Sequence, residues 1–279
     1  MKNILITALF LLLVGCEKEK LSNGHSDMIV VQGYLYMGEP VDSIRLSQAV
    51  LLNSGDTLFH GITDATVTIG TDGTTYTLVA SEKEGYYHCT DASLKVSSNK
   101  IYTLDITYDN KRITSQTMVP ETPTNLKISD NVLYVDPTST NMRMNPNDTT
   151  NSLTVSWSNI NKEYYFVVLE NKDSALITIT FTNPFTGTTD TVNSGNFARR
   201  FRSNPIQSSS YRISTNSVGN YGKYVFKLYK VTKDYANLYE SRSQNSTSLN
   251  EPFSNINNGL GIFTSFSVDS ISFSVVKKE

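Results

Sequence analysis

Cysteine is close to absent from this chain. Cys16 and Cys89 are the two in 279 residues, too few for the disulfide scaffold of a small secreted domain. Histidine is scarcer than usual as well: His25, His60 and His88 lie far apart, without the spacing of metal ligands. Charge is low, at 18 % of residues with a net of −2, so no field exists to gather nucleic acid. No apolar run approaches the roughly 20 residues a membrane-spanning helix needs. Neither a Gly-x-Ser-x-Gly elbow nor a Ser-x-x-Lys occurs. Gly259-x-Gly261 is followed by strand-like residues, not by the helix N-terminus that a phosphate cradle requires. Cys89 reads as a small buried hydrophobe, because the adjacent His88 on a strand would point to the other face and could not act as its base. Asp56, Asp72 and Asp130 read as turn chemistry, not as calcium loops. No catalytic residue, metal or cofactor is therefore expected, and a hydrolase would need an acid pair assembled from distant parts of the chain.

What is present is aromatic and strand-forming. With 16 Tyr and 12 Phe, the chain has the residues that suit half-buried strands and that disordered chains lack. At the N-terminus, Lys2 precedes an apolar run from Ile4 to Val14, and Leu13-Val14-Gly15-Cys16 closes it. That tetrapeptide resembles the lipobox of bacterial lipoproteins. The expectation is a signal peptide over 1–15 and an acylated Cys16 held in a membrane by several acyl chains. Residues 16–27 then read as a polar tether. Glu17 and Glu19 resemble in part the acidic cluster of surface-exported lipoproteins of Bacteroidota, with Lys18 and Lys20 interrupting it, so the surface face of the outer membrane is expected over the periplasmic one.

From Met28 the pattern is that of short strands. Met28–Leu35 is β-rich, with Gly33 as a bulge or close-approach point. Ser43–Ser47 and Ala65–Ile69 alternate, and Asp72-Gly73 makes a hairpin turn. Ile101–Tyr108 puts Tyr102, Leu104, Ile106 and Tyr108 on one face. Pro120 and Pro123 mark a boundary. Beyond it, Leu153, Val155 and Trp157 share a face, while Tyr164–Leu169 and Tyr224–Tyr229 read as central strands. Val231, Tyr235, Leu238 and Tyr239 share one face of a short helix with Thr232 as N-cap and Asp234 in its first turn. Ser270–Val275 closes the chain. The expected fold is all-β with two β-sandwich domains. An immunoglobulin- or transthyretin-like sandwich is expected over 28–119 and a linker over 120–124. A fibronectin III-like sandwich carrying one short helix is expected over 125–279.

The lipobox, Ile29-Val-Val-Gln-Gly-Tyr34, Ala65-Thr-Val-Thr-Ile69 before an Asp-Gly hairpin, and Phe253-Ser-Asn-Ile-Asn-Asn-Gly-Leu-Gly-Ile-Phe263 together resemble the DUF4249 family of Bacteroidota lipoproteins. Asn258 stands where that family typically has the first of two glycines. The resemblance implies an envelope lipoprotein, often encoded beside TonB-dependent outer-membrane receptors, with no activity and no catalytic residues to carry over.

A recurrent triplet of Asp, hydroxyl residue and small or aliphatic residue places candidate hydroxyls at Ser43, Thr57, Thr149, Ser174, Thr191 and Ser270. It resembles the O-glycosylation sequon of exported Bacteroidota proteins, and it also suits Asx-turns leading into strands. The functional expectation is a non-enzymatic accessory or binding lipoprotein. Its partners would be the membrane through Cys16, a TonB-dependent receptor, and a glycan or peptide ligand, with no nucleic acid. A structural or adhesive surface component is the alternative.

Overall fold

A computed structural model describes residues 25–50, 60–136, 151–182, 186–191, 200–242 and 252–278. The expected signal peptide over 1–15, Cys16, Thr57 and Thr149 lie outside these residues. The first half holds β1 (His25–Tyr36), β2 (Ile44–Val50), β3 (Thr66–Thr71), β4 (Thr74–Ala80), β5 (Tyr86–Cys89), β6 (Ile101–Tyr108) and β7 (Lys111–Met118). Asp72 at φ 50° and Gly73 at φ 77° turn β3 into β4, the left-handed pair that a two-residue hairpin demands. Asp109 and Asn110, at φ 46° and 57°, do the same between β6 and β7. Alternation in β6 buries Tyr102, Leu104 and Ile106 and leaves Ile101, Thr103 and Thr107 exposed.

The second half adds β8 (Lys127–Ile128), β9 (Val132–Val135), β10 (Ser152–Ser156), β11 (Tyr164–Asn171), β12 (Ile177–Thr178), β13 (Thr180–Thr182), β14 (Thr189–Thr191), β15 (Arg200–Arg202), β16 (Ser210–Ser214) and β17 (Asn220–Val231). Helix α1 (Lys233–Arg242) and β18 (Leu260–Lys277) complete it. The chain is all-β in sandwich form, with one short helix among the described residues. The Thr232 hydroxyl accepts the Tyr235 N–H at 3.3 Å and caps α1 as expected. Against β11, β17 and the far end of β18 lies a smaller sheet in the order β16-β10-β8. Trp157, Val155 and Leu153 fill the space between the two layers together with Tyr165, Phe226 and Phe273.

One sheet runs through both halves, in the order β15-β11-β17-β18-β1-β2-β5-β4-β3-β6-β7. Strand β18 makes that possible. Its first part pairs parallel with β1, Val30 opposite Leu260 through Tyr36 opposite Phe266. Its later part pairs antiparallel with β17, from Val231 opposite Phe266 to Gly222 opposite Val275. Beyond β1 the sheet curls around the first core until β7 comes back beside β18. There Thr114 and Asn257 form a bridge, and the Ser265 hydroxyl donates to the Met118 carbonyl at 3.0 Å.

Two boundaries differ from those expected. Strand β1 already includes His25–Asp27, pairing His25 with Val50, so the tether cannot extend to residue 27. The C-terminal sandwich expected over 125–279 does not hold all of its residues: Ile256 and Phe263 belong to the core of the first half with Ile29, Val31 and Leu104. The two proline-flanked halves have separate cores but share a strand. Gly33 is a close-approach point, not a bulge: a Cβ there would lie 2.6 Å from the Phe263 ring.

The 253–263 stretch is the stitch. The Asn255 side chain accepts the Phe263 N–H and donates to the Phe263 carbonyl, both at 2.9 Å. Its amide also donates to Asp234 in the first turn of α1 at 2.9 Å. Asn258 sits at φ 60°, the left-handed region that Asn tolerates better than other non-glycine residues, and its amide donates to the Arg112 carbonyl. That geometry accounts for Asn at this turn position.

Candidate functional site

A concavity with a volume of about 750 Å³ lies where the two halves meet. Seams between packed units are common places for ligand clefts. One wall is the outward face of the β6–β7 hairpin. Ile101 and Met118 pair in register and are 54 % and 58 % exposed, an apolar pair on a face that is otherwise polar. The other wall is Asn161–Tyr164 with the end of β17 and the first turn of α1.

The acids of this cleft are engaged in holding the walls. Glu163 pairs with Lys230 at 2.6 Å. Glu121 accepts from the Asn99 amide at 3.1 Å, and Asp234 accepts from Asn255. Lys162 adopts φ 52°, and its carbonyl accepts from the Gln207 amide. A second hollow of about 570 Å³ shares Gln116 and Asp234 with the cleft and leads to the Asp105–Arg112 ion pair. The two hollows form a groove along β7.

The backbone of β7 contributes to this groove as well. Thr114 exchanges both backbone bonds with Asn257. Ladder bonds alternate edges along a strand, so the N–H and C=O of Gln116 lie on the same edge as those of Thr114, and the Met118 carbonyl on that edge accepts from the Ser265 hydroxyl.

On the other flank of α1, a smaller hollow of about 250 Å³ is lined by Tyr34, Tyr36, Tyr235 and Arg202 among others. It shares no lining residue with the cleft.

The hydroxyls singled out in the sequence are not brought together. Ser43 is half-buried at the start of β2, whereas Ser174, Thr191 and Ser270 are exposed. Their aspartates take local backbone roles: Asp269 accepts the Ser270 N–H at 2.7 Å, and Asp173 accepts the Lys223 N–H at 3.1 Å. Cys89 is half-buried against the first core, its thiol near the Asp91 carbonyl. Sequence reasoning missed Met118, Ile101 and Arg202. The signal for Ile101 was available, since the alternation that buries Tyr102 must turn Ile101 outward. For Arg202 the only hint was the basic run Arg199-Arg200-Phe201-Arg202.

Among solved structures, the chain is similar to a two fibronectin type-III domain segment from chicken tenascin. Identity is 13 %, covering 90 % of this chain and 98 % of that one, with a TM-score of 0.22. It is also similar to domains A168–A170 of titin at 12 % identity, covering 90 % of this chain and 68 % of that one, with a TM-score of 0.21. Scores this low establish no correspondence of sites. Comparison with curated proteins returned no match. The model of one family, a domain of unknown function, matches residues 18–272. With nearly the whole chain inside that match, this protein belongs to the DUF4249 family.

Proposed function

We propose that this protein is a lipid-anchored accessory binding protein of the cell envelope, tethered through Cys16 to the outer membrane on its surface face. In this reading it works beside a TonB-dependent receptor, and the groove along β7 is where it meets an extended peptide segment. The observation that carries the reading is the coincidence, at one seam, of exposed Ile101 and Met118 with a groove that Gln116 of β7 also lines. Strand addition uses this combination: main-chain bonds supply affinity and side-chain pockets supply selectivity. The cleft acids are tied into wall-forming bonds, which suits a binding surface better than acid–base chemistry.

Affinity purification from native membranes in mild detergent tests it. The wild-type protein should bring down a TonB-dependent receptor, and Met118→Asp should lose it while keeping the wild-type melting temperature. Recovery of the lipoprotein alone would refute the partnership. Cys16→Ala should move the folded protein to the soluble fraction. Exposed Ser174, Thr191 and Ser270 are the proposed glycan carriers among the described residues. An intact mass equal to that of the bare lipopeptide would remove that proposal.

A further inference from the structure

Arg202 is a cation with no acidic partner among the described residues, in a site built of aromatic rings. Strand β15 places it: Arg202 pairs with Val168 of β11 and so projects onto the sheet face that carries Phe166. Its guanidinium lies 4.2 Å from the centroid of Phe166 and 5.6 Å from that of Tyr235. Phe266 lies edge-on to Tyr235 with centroids 5.0 Å apart, and Tyr36 stacks on Phe266 at 5.0 Å. Arg202 lines a hollow of about 250 Å³ together with Tyr36, Tyr235 and Phe266.

No carboxylate among the described residues pairs with this guanidinium. Glu170, the acid on the neighbouring strand, is taken by Lys172 at 2.9 Å and Lys227 at 3.2 Å. Glu39 acts on the Tyr36 hydroxyl. The charged or ionisable groups that bear on Arg202 are Tyr36, Tyr239, Arg200 and Tyr34, of which the other cation opposes its charge. Arg202 is exposed as a residue, but its guanidinium packs on ring faces, and that partial burial holds its pKa below the ordinary value. A guanidinium fork matches a carboxylate or phosphate in a bidentate bond.

We infer that the Arg202 hollow binds a carboxylate carried on a small apolar group, as at the C-terminal residue of a peptide. The guanidinium fork takes the two carboxylate oxygens, and the rings of Tyr36, Tyr235 and Phe266 cover the apolar body. Size restricts the occupant. About 250 Å³ falls below the range for a whole drug-sized ligand, so one terminal group enters and the rest of the chain stays outside. This site goes beyond the β7 groove: it lies on the other flank of α1 and does not depend on that reading.

Titration calorimetry on the soluble Cys16→Ala protein tests the inference with two probes, N-acetyl-phenylalanine and its C-terminal amide. The acid should bind with a millimolar or lower Kd, and the amide at least tenfold more weakly. Arg202→Gln should weaken the acid at least tenfold and leave the amide unchanged, with Arg202→Lys in between because it keeps the charge but loses the fork. Equal binding of acid and amide to the wild-type protein would overturn the inference without reliance on any variant. So would absence of acid binding at 20-fold over about 1 mM, the weak limit of a specific contact. Free glucuronate binding more tightly than N-acetyl-phenylalanine would overturn the assignment to a peptide end.

Discussion

Replacing Gly261 by alanine should separate the two halves of the molecule more effectively than any core truncation. Gly261 stands opposite Val31 in the parallel pairing of β18 with β1. A Cβ there would sit 2.0 Å from the Val31 carbonyl oxygen, on a backbone at φ +109°. Carbon and oxygen need more than 3 Å, so the two strands must part by over an ångström. The positive φ alone costs an L-residue about 1–2 kcal/mol. Parting the strands breaks ladder bonds at about 1 kcal/mol each and loosens the packing of Phe263. Together these give about 3–5 kcal/mol, a large share of the 5–15 kcal/mol typical of a folded domain. Gly73 is the control. It has φ +77° but nothing within 4 Å of its Cβ position, so Gly73→Ala incurs only the conformational part. In urea, monitored by tyrosine and tryptophan fluorescence, Gly261→Ala should lower the midpoint by about 1–2 M, taking a slope of about 2–3 kcal/mol/M. Gly73→Ala should lower it by less than half as much. Equal shifts for the two variants would refute the claim that β1 and β18 are in close contact at this point.

Asn255→Ala removes three hydrogen bonds, two of them to the N–H and C=O of fully buried Phe263. A loss of about 2–4 kcal/mol is expected by chemical denaturation, and a loss under 0.5 kcal/mol would contradict that role. A fragment of residues 17–124 lacks Ile256 and Phe263 and leaves β1 without its β18 partner. It should show no cooperative transition alone and gain one when a peptide of residues 252–268 is added. Alkaline pH should also unfold the protein. Burial, with a smaller contribution from Glu163, pushes the Tyr165 phenol from 10.0 up to about 12. The folded state therefore holds that proton more tightly than the unfolded chain. The resulting stability is complete below pH 10 and is lost as pH rises through about 12. In Tyr165→Phe, the fall in melting temperature over that window should be smaller, and an unchanged fall would exclude Tyr165 as a source.

Strand chemistry was largely legible along the chain. Asp72-Gly73 gave the hairpin because only a left-handed pair fits so short a turn, and Tyr102, Leu104 and Ile106 gave the inward face of β6 because side chains alternate. Thr232 gave the start of α1. Illegible were the partners of each strand. Nothing local in Leu260–Phe266 distinguishes a strand beside β17 from one beside β1, and β18 pairs with both. The Gly-rich approach to β18 gave a partial hint, but its meaning depends on the Val31 carbonyl, far away in sequence.

By itself, then, the sequence determined the local matters: an all-β chain, its hairpins, its short capped helix and its family. These depend on alternation, turn residues and caps, all set within a few residues of one another. Tertiary structure alone decided that β18 joins two cores in one sheet. It also set Ile101 and Met118 side by side in a groove at the seam, and left Arg202 among rings with no carboxylate paired to it among the described residues. Such outcomes depend on which surfaces meet across more than a hundred residues of chain, and hydrophobic burial, being non-directional, does not encode that meeting in any one stretch.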